Sequence, residues 1–70
     1  MDRARFKSVM VLHGDTQRTL AEALEMAELT LSKKLNEKNE FTQSEIKAIK
    51  KRYNLKPEEV DAIFFCGLSV

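Results

Sequence analysis

The sequence predicts an all-α fold of five short helices. Apolar residues recur at spacings of three and four along successive short segments, and nothing alternates with period two over the length of a strand. Residues that start or stop helices (Gly14, Thr16, Thr42 and Pro57) fall between those segments.

Phe6, Met10 and His13 step by four and three, with Val9 beside them. This spacing predicts an amphipathic opening helix from about Arg3 to His13, stopped by Gly14 just past its end. Thr16 is placed to cap a second helix from about Gln17 to Leu24, on which Leu20, Ala21 and Leu24 form a compact apolar stripe. The small Ala21 side chain lets a neighbouring backbone come close. A third helix is expected from about Glu28 to Asn36, with Leu31 and Leu35 inward and Met26 in the bend before it. Thr42-Gln43-Ser44-Glu45 matches a capping box and starts a fourth helix, whose buried stripe is Ile46, Ile49 and Tyr53. Leu55 belongs to the next connection. Pro57 fits the first turn of a last helix, with Val60, Ile63 and Phe64 inward and Gly67 at its end.

The run from Thr16 to Lys38 therefore reads as two short helices joined by a tight turn, a helix-turn-helix over about residues 16–36. It resembles the phage repressor and Cro-type proteins, whose pattern is roughly T-Q-x-x-L-A-x-x-L-G-[VI]-S-x-x-T-[IL]-S. Thr16, Gln17, Leu20, Ala21, Leu24, Met26, Thr30, Leu31 and Ser32 carry the likeness. It extends through Lys34-Leu35-Asn36-Glu37-Lys38, Phe41-Thr42-Gln43-Ser44-Glu45-Ile46 and Phe64-Phe65, and looks closest to small phage-encoded, Cro-like proteins. Two positions depart from the pattern. Glu25 stands where the turn glycine is usual, and Ala27 where the capping serine is usual.

The resemblance implies a repressor-like domain that presents its third helix to the major groove of double-stranded operator DNA. Glu28, Leu29, Thr30, Lys33 and Lys34 then lie on or near the groove face. Lys33 and Thr30 supply base contacts, while Gln17, Lys34, Asn36 and Lys38 mainly hold phosphates or brace neighbours. Lysine can bond guanine acceptors, threonine can touch a thymine methyl, and glutamate can accept from cytosine N4. The same residues also have plain structural readings. Lys33 and Lys34 complement the dipole at a helix C-terminus, and Glu28 does so in a first turn.

Seventy residues make one domain with a small core. Its 43% hydrophobic and 33% charged residues describe a globular chain, and a net charge of +1 means that any contact with DNA relies on a local patch. Between Thr16 and Asn36 the cations Arg18, Lys33 and Lys34 only match Glu22, Glu25 and Glu28 in number. That balance keeps open a second function, an antirepressor or modulator in which Leu29, Glu25 and Glu28 engage the basic surface of another phage repressor protein. Lys47, Lys50, Lys51, Arg52 and Lys56 form a further basic group, read mainly as a solvated helix face. Arg3, Arg5 and Lys7 form either a phosphate-reaching arm or another such face.

No enzyme is expected. Cys66, His13 and Ser69 lack a context that would activate a nucleophile, and one cysteine with one histidine is too few for a metal site of soft ligands. No cofactor and no small-molecule substrate are implied. With no apolar run of membrane-spanning length and no signal-peptide pattern, the expected address is an intracellular, reducing compartment, which the phage resemblance makes the cytoplasm of a bacterial host cell, associated with its nucleoid. The closing segment 62–70 is unusually apolar, so Phe65, Leu68 and Val70, joined by Val11 and Leu12, are candidates for a homodimer or partner interface.

Overall fold

The computed structural model describes residues 1–65 and contains five helices there, with no strand among them. They are α1 (Arg3–Leu12), α2 (Gln17–Ala23), α3 (Glu28–Leu35), α4 (Gln43–Tyr53) and α5 (Pro57–Phe64). All but α3 begin where a side chain or a proline makes a start favourable. Asp2 accepts from the Arg5 N–H at 3.0 Å, and Thr16 and Thr42 each close a capping box with the residue three positions on. Pro57 occupies the first turn of α5, where its missing N–H costs no hydrogen bond. Among the described residues no helix is long and apolar enough to cross a membrane.

The helix ends share one device. In α1 to α4 a residue in the left-handed region follows the last turn, and two N–H groups fold back onto the helix carbonyls as a Schellman motif. At the end of α2 the Glu25 N–H reaches the Glu22 carbonyl at 3.1 Å and the Met26 N–H reaches Ala21 at 3.0 Å. Only the first of these left-handed residues is glycine. Gly14 has φ +72°, whereas Glu25, Glu37 and Asn54 have φ +56°, +61° and +53°. Glu25 thus keeps the turn that glycine usually makes, at the cost of a strained backbone. Ala27, the residue before α3, has no side-chain oxygen to accept from the first turn.

Both sites are open to improvement. Glu25→Gly is expected to raise stability by about 0.5–1 kcal/mol, and Ala27→Ser by about 1 kcal/mol. Urea unfolding of the two single variants measures this. An unchanged or lowered midpoint for Glu25→Gly would mean that the left-handed turn is not strained.

The core is built from the inward stripes of all five helices: Phe6, Met10, Leu20, Ala21, Leu31, Ile46, Ile49, Tyr53, Val60 and Ile63, with Leu55 from the α4–α5 connection. α2 packs on α3, and α1 on α5. Leu24, Met26, Leu35 and Phe64 are half-buried at the margin. One element comes from a loop. Phe41 stacks on Phe6 at 5.8 Å and meets Phe64 edge-on at 5.6 Å, while Phe6 meets Phe64 edge-on at 5.5 Å. The three rings form a closed triangle that joins α1, α5 and the α3–α4 connection.

Three expectations concern the chain's margins. His13 does not complete the buried stripe of α1: it caps the helix, is exposed, and lays its ring against Tyr53 at 4.8 Å. Phe65, a candidate interface residue, is half-buried and packs against the core with part of its surface still open. Leu68 and Val70, like Cys66, Gly67 and Ser69, lie outside the described residues.

Candidate nucleic-acid interface

The pairing of α2 with α3 sets the geometry of the candidate site. Leu20 and Ala21 on one helix and Leu31 on the other are buried, so each helix has one face committed to the core. At 100° per residue, the face of α3 opposite Leu31 must carry positions 29, 33 and 36. Leu29 is 67% exposed, and Lys33 and Asn36 are also exposed. These three make one outward stripe of an apolar group, a cation and an amide. Glu28 is exposed beside its upper end, and Thr30 is half-buried on a flank. The Lys33 ammonium has no hydrogen-bond or ion-pair partner among the described residues. The Asn36 amide donates to the Ser32 carbonyl at 3.0 Å, leaving its oxygen open.

Lys34 belongs elsewhere. Its side chain is only 11% exposed, and its ammonium donates to Glu45 Oε1 at 2.9 Å and to the Glu40 carbonyl at 3.0 Å. It also lies 5.8 Å from the Phe41 ring centre. Partial burial pushes the Glu45 carboxyl up, but the Lys34 ammonium and the Thr42 N–H outweigh it and hold the group below its ordinary value. A lysine held this way ties α3 to the start of α4 and is not free to meet a phosphate. This corrects the expectation that Lys34 lies along the contact face.

The phosphate-side candidates come together more closely than their sequence separation suggests. Gln17, at the start of α2, and Asn36, just past α3, both line one groove of about 410 Å³ between α1, α2 and α3. Lys38 is exposed beyond the end of α3, where its backbone N–H closes the Schellman motif on Lys33 at 2.9 Å.

Gln17 is steadied by a cluster that sequence reasoning missed. Asp15, whose side chain is 5% exposed, accepts from Arg52 Nε at 2.8 Å, Arg52 Nη2 at 2.7 Å, the Tyr53 hydroxyl at 2.6 Å and the Thr19 hydroxyl at 2.8 Å. The Arg52 guanidinium chiefly holds the Asp15 carboxyl far below the usual range; burial opposes this, and the two hydroxyls add to it. Burial, then the carboxylate beside it, pushes the Tyr53 phenol up. Thr19 also accepts from the Thr16 N–H at 2.9 Å, so the cluster fixes the first turn of α2, in which Gln17 stands. Arg52 is exposed like Lys47, Lys50, Lys51 and Lys56, but its guanidinium is committed to Asp15. The one sequence signal was a carboxylate directly after a helix-ending glycine; its partners lie 37 and 38 positions away.

No curated protein and no solved structure matches the chain. A family described as proteins of unknown function and designated DUF739 matches residues 2–67, nearly the whole sequence, and the chain belongs to that family.

Proposed function

We propose that the protein is a DNA-binding transcriptional regulator of the phage Cro/repressor type. Its third helix enters the major groove, and Lys33 bonds base edges there. The observation that carries this reading is the outward stripe of α3, Leu29, Lys33 and Asn36, which has no intramolecular role to explain it beyond the Asn36 cap. The left-handed turn at Glu25 and the shared groove of Gln17 and Asn36 support it. Lys33 and Thr30 read bases, Leu29 and Glu28 flank them, and Gln17, Asn36 and Lys38 hold the backbone. Lys34 serves the fold.

The reading is tested by titrating the protein with short duplexes from the control region of its own gene at several salt concentrations. A complex contacting Z phosphates gives a log–log slope of about −0.9Z. Lys33→Ala is expected to weaken the specific complex by about 1–3 kcal/mol and to relax preference at one base pair. Unchanged affinity in that variant removes Lys33 from the interface. A symmetric pair would read half-sites about 34 Å apart. Apart from Leu29 on α3, the large apolar residues exposed among those described are Val11 and Leu12, 70% and 83% exposed on the last turn of α1 and open to such a contact. Sedimentation of a single species at monomer mass, free and with DNA, counts against the pair.

A second reading has its own support. Leu29 is exposed, as are the acids Glu25 and Glu28 that precede it in the chain, a combination suited to the basic face of another regulator. Tight binding to a neighbouring repressor, with no specific duplex complex, would favour this antirepressor role.

A further inference from the structure

We infer that the groove between α1 and the α2–α3 pair is a track for the phosphodiester backbone of DNA, with Arg3 and Lys7 of α1 supplying its positive charge. The inference rests on the DNA-binding reading and extends it to α1, where the sequence left Arg3 and Lys7 as either a phosphate-reaching arm or a solvated face.

Arg3 and Lys7 are four residues apart, so they rise from one face of α1, and both line the groove that Gln17 and Asn36 close on the other side. Both are exposed, and neither side chain makes a hydrogen bond or an ion pair among the described residues. Several other cations near the groove or α3 are engaged. Arg5 pairs with Asp2 at 3.5 Å, Arg18 with Glu22 at 3.4 Å, Lys34 with Glu45 at 2.9 Å and Arg52 with Asp15 at 2.7 Å. Two long basic side chains left open over one concave surface are arranged for an anion that the chain itself does not provide.

The acids nearby do not cancel them. Asp15 also lines the groove, but its charge faces the Arg52 guanidinium and its oxygens already accept four hydrogen bonds. Glu37, whose charge Arg3 feels, has its carboxylate on the chain's amino group at 2.8 Å. Ala4 leaves space between Arg3 and Lys7, so a backbone phosphate can approach the helix closely. The diversion of Lys34 gives the groove its importance. Without it, α3 brings one free cation to the duplex, and non-specific affinity depends on how many phosphates are neutralised.

The test compares wild type with the Arg3→Gln/Lys7→Gln double variant on two probes, a control-region duplex and a random-sequence duplex of about 20 base pairs. Both residues are exposed, so matching far-UV circular dichroism and melting curves check that the fold is kept. The expected result is a salt slope shallower by about 1.8 on both probes, and binding weaker on the order of 10- to 100-fold at 0.1 M salt, with base preference retained. Lys33→Ala in parallel shifts base preference on the control-region duplex instead. If both probes bind and the double variant keeps the wild-type slope, the track is overturned while the reading of α3 stands. If wild type binds neither duplex, both fall together.

Discussion

A Phe6→Ala chain is expected to be largely unfolded near 37 °C. Phe6 is fully buried and belongs to two of the three ring contacts in the Phe6–Phe41–Phe64 triangle. Truncating a buried phenylalanine to alanine costs about 3–5 kcal/mol, through lost transfer energy and the cavity left behind. A domain of this size has a total stability of about 4–10 kcal/mol, so the loss takes a large part of the margin, and all of it toward the lower end of that range. The damage spreads beyond one helix, because the triangle joins α1, α5 and the α3–α4 connection. Far-UV circular dichroism against temperature reads the result directly. A variant melting within a few degrees of wild type would show that the ring cluster is peripheral to stability.

Asp15→Asn is expected to lower stability by about 2–3 kcal/mol, and the melting temperature by roughly 10–20 °C. An amide cannot accept four donors, and it turns its own N–H groups toward a guanidinium. Arg52 is partly exposed and can turn to water, which keeps the loss below that of a fully buried pair. The pH dependence is equally specific. The folded Asp15 carboxyl titrates well below its ordinary value of 3.8, so its contribution is complete above that value and declines as pH falls below it. Tyr53 acts at the other end. Its folded phenol titrates above the ordinary 10.0, so its contribution is complete below pH 10 and declines as pH rises past it. Urea midpoints measured against pH should therefore fall at both extremes. Asp15→Asn flattens the acid limb, leaving the shallower slope of Glu45 and Glu37, whose carboxyls are also lowered. An acid limb identical to wild type would mean that the cluster does not hold together in solution.

The helices were legible because their signals are local. Spacing of three and four finds Phe6 and Met10 or Ile46, Ile49 and Tyr53 without knowing what they pack against, and Thr42 with Glu45 announces a start from four consecutive letters. The turn at Glu25 was legible as a departure from a pattern, but only the backbone shows that a left-handed glutamate keeps the usual shape. Phe41 was hidden because a single aromatic in a connection has no period. Asp15 and Arg52 were hidden because the ion pair spans 37 positions, and Arg52 follows two lysines that face water. Lys33 and Lys34 differ by one step of 100° around α3, which sends one side chain outward and the other into a carboxylate. Adjacent identical letters gave no hint of that division.

On the proposed DNA-binding role, the Lys34–Glu45 link also limits how α3 can evolve. Rolling the helix about its own axis would pull Lys34 off Glu45 and the Glu40 carbonyl, so the reading surface is indexed to the start of α4. New target preferences must then arise by exchanging the side chains at 29, 33 and 36 on a fixed spindle, while position 34 stays bound to its role as the locking pin.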